Sequence, residues 1–262
     1  MTMPHPLHFA LATALLLAVP AQAQDQSKVS DDITLAANHK AGNLSTVSGD
    51  VDVANGARVG SITVVSGDID LGSNVVAGNA QTVSGDFEAG EDVRIGDVET
   101  VSGDIEFGGR AQAGSAQTVS GDLRVAAGGK LASAQTVSGD VFIGRGGKLS
   151  GGIQTISGAI GLVASEVGGD VQTYTGNVTV GIGSHVRGNL LVRKPNANNG
   201  FRIVNIRVKP EPPRIVIGPN ARVDGTLTFE HPVKLYVHRS ARIGKVSGAT
   251  PVAFDTPVPP RN

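Results

Sequence analysis

Six aspartates recur at a fixed step of 18 residues: Asp50, Asp68, Asp86, Asp104, Asp122 and Asp140. Stacked at strand spacing they lie ~4.8 Å apart. Neighbours then repel by about 0.9 kcal/mol per pair even at the dielectric constant of water. Two chemistries would offset this. The carboxylates could form a stripe for divalent cations, or each could accept hydrogen bonds from backbone amides at a turn. The calcium-binding nonapeptide pattern Gly-Gly-x-Gly-x-Asp is absent, so the turn reading is preferred and no metal site is assigned.

A second ladder carries hydroxyls: Thr82/Ser84, Thr100/Ser102, Thr118/Ser120 and Thr136/Ser138, with Thr46/Ser48 and Thr155/Ser157 at its ends. With the valine between them pointing inward, both hydroxyls would face out. That array resembles the ice-binding face of some antifreeze proteins; the plainer reading is a wet surface of residues with good strand propensity. The histidines (His5, His8, His39, His185, His231, His238) show no ligand spacing. Gly144-Arg145-Gly146-Gly147-Lys148 resembles a phosphate loop in composition only, with no helix to follow it. No Ser/His/Asp set, metal triad or spaced acid pair outside the ladder is found. No catalytic, cofactor-binding or metal-binding residue is therefore assigned, and the chain is expected not to be an enzyme.

These residues belong to one repeat, Thr-Val-Ser-Gly-Asp, whose glycines are Gly49, Gly67, Gly85, Gly103, Gly121 and Gly139, with degenerate copies at Gly158 and Gly176. Stacking the copies gives apolar columns. The first is Val47, Val65, Val83, Val101, Val119, Val137 and Ile156. The second begins at Val51 and Ile69, the third at Val53 and Leu71, the fourth at Val59 and Ala77, the fifth at Ile62 and Ala80. Period-two alternation around each column is strand-like, and no segment after the N-terminal run keeps a helical period. Eighteen residues divide into three short strands and three corners. The expected fold is all-β: a single-stranded parallel β-helix, a triangular solenoid with all five columns inside. One coil alone buries too little to offset its ordering entropy, so coils must stack.

Composition agrees with a thin interior. Aromatics are 3%, Gly numbers 36 and Cys is absent, which excludes disulfides and thiolate chemistry. An apolar run from Phe9 to Val19 followed by Ala21-Gln22-Ala23 reads as a signal peptide cleaved near Ala23. It is too short to span a bilayer, so an exported chain, periplasmic or extracellular, with no transmembrane segment is expected. The expected organisation is a signal peptide at 1–23, a flexible linker at 24–32 and a β-solenoid at 33–192. An irregular excursion follows at 193–214 with one strand over 201–208. C-terminal coils occupy 215–248, and 249–262 is a disordered tail. Charge divides along the chain. From 46 to 159 there are 14 acidic and 7 basic residues, net −7; from 185 to 262 there are 13 basic and 4 acidic, net +9.

The Gly-Asp-Val/Ile steps after short aliphatic strands, and Ile217-Gly218-Pro219-Asn220-Ala221-Arg222-Val223-Asp224-Gly225, resemble bactofilins, the polymer-forming bacterial cytoskeletal proteins. The repeat also resembles adhesin-type repeat domains of exported bacterial proteins. The first likeness implies a triangular β-helix that polymerises end to end without nucleotide. Export and the excursion at 193–214 depart from it. The expected function is a non-catalytic structural protein of the cell envelope or surface, self-assembling as a homopolymer. The alternative is an adhesin-like or polysaccharide-binding module, with envelope polysaccharide as its partner. An ice-binding face or a carbohydrate-active β-helix enzyme are minor alternatives. No nucleic acid partner is expected.

Overall fold

The structure, a computed structural model, describes residues 24–195 and 211–260. The signal-peptide segment and the strand expected over 201–208 lie outside the described residues. What is described is a single-stranded parallel β-solenoid of about 12 turns with roughly 18 residues per turn. Every strand pairs in parallel with its equivalent one coil away, as in Ala80↔Val98 and Ile105↔Leu123. The strands form three sheets that wrap one interior. Sheet A has 12 strands, from Gln26–Lys28 to Val246–Ser247, and holds the longest ones, Ser115–Ser120 and Ser133–Ser138. Sheet B has 12 three- to five-residue strands, from Ile33–Leu35 to Val252–Phe254. Sheet C begins as single bridges from Lys40 through Arg58, Val76, Arg94 and Gln112 to Lys130, then continues as six short strands ending at Arg242–Ile243.

The second to fifth columns form the core. Ile69, Phe87, Ile105 and Leu123 are at most 1% exposed, as are Ile62, Ala80 and Val98. Aliphatic side chains one rung apart stack directly, so each coil buries the rim left by the last. Phe87 and Phe107 meet in adjacent coils with centroids 5.6 Å apart and rings tilted by 57°.

The first column is a correction. Val47, Val83 and Val101 are each 47% exposed, Val65 42% and Val119 45%, while Thr46, Thr82, Thr100, Thr118 and Thr136 are 1–5% exposed. The threonine points inward and the valine outward. Alternation holds within the strand, from Ala80 to Thr82. It does not hold across the Ser-Gly corner, which shifts the parity between Val83 and Phe87.

Boundaries also differ. Gln26–Lys28 falls in the segment expected to be a flexible linker, yet it forms the first strand of sheet A and pairs with Leu44–Thr46. Val252–Phe254, inside the expected disordered tail, pairs with Tyr236–His238 and closes sheet B. The excursion leaves sheet A after Val192 and returns to sheet B at Arg214, so Ile215 stacks on Val178 as though nothing intervened.

Candidate functional site: the corner ladder and the three outer faces

Each member of Thr-Val-Ser-Gly-Asp has a separate place at the corner between sheets A and B. The threonine hydroxyl donates to the carbonyl of the glycine one coil back: Thr82 to Gly67 at 3.2 Å and Thr118 to Gly103 at 3.1 Å. The serine carbonyl accepts the amide of that same preceding glycine, as in Gly85 N to Ser102 O at 3.1 Å. The aspartate Oδ1 accepts the backbone amide of the next coil's aspartate. Asp50, Asp68, Asp86, Asp104 and Asp122 each do so at 2.7–2.9 Å, and Asp140 accepts from Ala159. Asn177 takes over the role by accepting from Arg214. The amide hydrogen bonds offset the repulsion of the carboxylate ladder, which is the turn chemistry expected of it.

The glycine is required by proximity. A Cβ built on Gly121 would overlap the carbonyl oxygen of Gly103, and one on Gly139 the carbonyl of Gly121. Backbone passes over backbone here with no room for a side chain.

This arrangement dissolves the outward hydroxyl array. The hydroxyls of Thr46, Thr82, Thr100, Thr118 and Thr136 are inside, engaged with carbonyls, and of the array only the serine hydroxyls remain at the surface. In one copy Val64 fills the threonine position at 1% exposure, so the site accepts an apolar isostere. Among the described residues Thr155 Oγ1 is buried without a hydrogen-bond partner.

The three outer faces differ in chemistry. On sheet B the outward residues at four successive rungs are Asp52, Asp70, Glu88 and Glu106. They stand beside the corner aspartates, making a continuous acidic strip. Partial burial, and after it Glu88, Asp52, Asp68 and Asp50, push the Asp70 carboxyl above the usual carboxylate value. On sheet C the outward ladder carries Lys40, Arg58, Arg94, Lys130 and Lys148, is interrupted by Glu166, which pairs with Lys148 and Arg187, and ends in Arg222 and Arg242. On sheet A the outward partners from Ser45 to Gln172 are Ser, Thr or Gln, with Glu99 as the one charge. Beside them runs the exposed valine ladder. Between the two lies a shallow groove of about 460 Å³, lined from Gln81 and Val83 to Gln154 and Ile156. The acidic, basic and uncharged faces were not read from the sequence, though the outward residues recur at the same 18-residue step.

Other polar residues sit at strand ends and turns. Ser115 donates to Asp97 Oδ1 from both its hydroxyl and its amide at 2.7 Å, and the hydroxyl bond first, then the amide bond, hold the Asp97 carboxyl low. His185 Nε2 lies 2.8 Å from Asp224 Oδ2, and Arg222 also bonds Asp224; these two contacts hold that carboxyl below its usual range. His231 meets the Tyr174 carbonyl at 2.7 Å, and His238 packs edge-on against Phe254. Gly144-Arg145-Gly146-Gly147-Lys148 is a corner leading into a sheet C strand. Among the described residues no group of three or more His, Asp or Glu side chains is placed to hold a metal ion, and no helix is long and apolar enough to cross a membrane.

Compared with known proteins, the chain matches no family model, no curated protein and no solved structure.

Proposed function

We propose that the chain is a non-catalytic structural rod of the bacterial cell envelope or surface, and that rods join end to end. The observation that carries this is the C-terminal coil. In interior coils the core residues are nearly all below 9% exposed, yet Val237, Ala241, Ile243, Val246 and Ala249 are only partly buried. Among the described residues the last strands of all three sheets, Arg242–Ile243, Val246–Ser247 and Val252–Phe254, pair on one side only. A solenoid end of this kind presents unpaired amides and carbonyls together with a half-open apolar rung, which another coil would satisfy. Charge favours head-to-tail contact: the first coil carries Asp25, Asp31 and Asp32 against Lys28, and the last carries Arg239, Arg242 and Lys245 against Asp255, which pairs with Arg239. The heterologous contact does not close on itself, so it extends a filament. Among the described residues most titratable groups stand in ladders, and the few that converge, such as His185 and Arg222 on Asp224, pair with one another at the surface, which supports a scaffold over a catalyst.

Electron microscopy and sedimentation at low and high salt test this reading. Filaments that shorten with salt are expected. A strict monomer at every concentration and salt would exclude assembly.

The polysaccharide-binding alternative is favoured by one observation, the cationic ladder of sheet C. Lys40, Arg58 and Arg94 point to solvent along one line, which suits a linear acidic polymer. Salt-sensitive retention on acidic envelope polysaccharide, lost in Arg58→Gln/Arg94→Gln, is the expected result; retention unaffected by that variant would reject it.

A further inference from the structure

The outward face of sheet A is the least expected surface of the molecule. It places a ladder of branched aliphatics, Val47 to Val119, at 42–47% exposure, extended by half-exposed Val137 and Ile156. Exposed apolar side chains scattered singly need no explanation, but a continuous line of them marks a contact surface. We infer that this face pairs laterally with the same face of a second copy, with the two rods antiparallel. The inference does not rest on end-to-end joining and concerns a different surface.

Three features select a second copy as the occupant. The first is period. A partner must match a rung spacing of ~4.8 Å over many rungs to bury the whole ladder, and an identical sheet does so at every rung. The second is charge. Face A carries one anion, Glu99, between Ser45 and Gln172, so it can meet its own copy with little like-charge repulsion. The third is area. From Ser45 to Gln172 there are seven steps, or about 34 Å, and a five-residue strand is about 16 Å wide. The footprint is at most about 540 Å² per rod and about 1,100 Å² for the pair, close to the ~1,000 Å² a specific interface should clear and within the range of weak, transient ones. A dimer that dissociates on dilution follows.

Direction follows from the same residues. A two-fold axis along the rods would set each valine column against the glutamine column of the partner. A two-fold axis across the rods sets valine on valine and amide on amide, which keeps the apolar area together. With full overlap from Ser45 to Gln172, Val101 meets the partner's Val119, and Gln81 meets the partner's Gln135. Glu99 meets the partner's Gln117, so the single carboxylate finds an amide donor and not its own copy.

The chain has no cysteine, which makes the test direct. Gln81→Cys and Gln135→Cys variants of the full chain are oxidised separately and mixed, alongside sedimentation across a concentration range. The mixture is expected to cross-link at least tenfold more than either alone. Val101→Lys/Val119→Lys in both backgrounds should abolish the cross-link and the dimer while leaving circular dichroism and melting unchanged, since both side chains lie outside. Equal cross-linking in the separate samples, or a cross-link indifferent to the lysines, would overturn the proposal. Thiols shielded from a soluble reagent only when envelope polysaccharide is added would overturn it in favour of a glycan. The readout is specific to this face, so it gives the same answer whether or not rods also join at their ends.

Discussion

Replacing Gly121 with alanine isolates the reason for glycine at the corner. Gly121 has no left-handed φ to accommodate, so its backbone angle does not require glycine. The obstacle is the carbonyl of Gly103, which occupies the position a Cβ would take. Relief requires the two coils to part at the corner. Three bonds then fail: Gly103 N to Ser120 O at 3.2 Å, Thr118 Oγ1 to Gly103 O at 3.1 Å, and Asp122 N to Asp104 Oδ1 at 2.7 Å. With about 0.5–1.5 kcal/mol for each neutral bond and about 1.5–3 kcal/mol for the charged one, the loss is about 2.5–6 kcal/mol. Gly183→Ala is the control. Gly183 has φ +65° and nothing within 4 Å of a Cβ, so only the left-handed angle opposes alanine, at roughly 1–2 kcal/mol. Denaturant unfolding followed by circular dichroism measures both. Because coils contact only their neighbours, Gly121→Ala should also split one transition into two as the halves uncouple. If Gly121→Ala is no more costly than Gly183→Ala, close backbone approach is not what the repeat glycine serves.

Parity at the strand end gives a sharper contrast between adjacent residues. Thr100→Asp buries an unpaired charge and should cost about 3–5 kcal/mol, while Val101→Asp should leave the melting profile within about 0.5 kcal/mol of the parent; the reverse order would restore the inward valine. Asp97 is held low in the folded state first by the Ser115 hydroxyl, so its stabilising contribution is complete above the ordinary carboxylate value and lost as pH falls through the lowered folded value. Ser115→Ala should therefore move the Asp97 titration upward by nuclear magnetic resonance, and an unmoved midpoint would deny that bond its effect. Asp70 has the opposite sign. Its raised folded value means that stability is greatest below the unfolded carboxylate value and declines as pH rises through the folded one, so Asp70→Asn should raise the melting temperature at neutral pH and have no benefit in acid.

Much of this rod is written in its repeat. The 18-residue step, the columns from Val51, Val53, Val59 and Ile62, and the need for glycine and aspartate at one corner all follow from residue type and spacing, because parallel stacking places identical residues over one another. Even the orientation of Thr82 was legible from Ala80 two residues before it. That signal competed with the stronger apolarity of Val83, and with a count that crossed Gly85 as if the strand were straight. Tertiary structure alone decided the rest. A corner resets which side of the chain faces in, so outward valine and inward threonine depend on where the backbone bends. Likewise, the linear sequence sorts charge only by position along the chain. Wrapping it on three sides collects Asp52, Asp70, Glu88 and Glu106 on one face and Lys40, Arg58 and Arg94 on another, and leaves the third uncharged but for Glu99. Neighbourhood on the surface is set by the coil, 18 residues away, and by the side of the prism, neither of which a reading of adjacent residues contains.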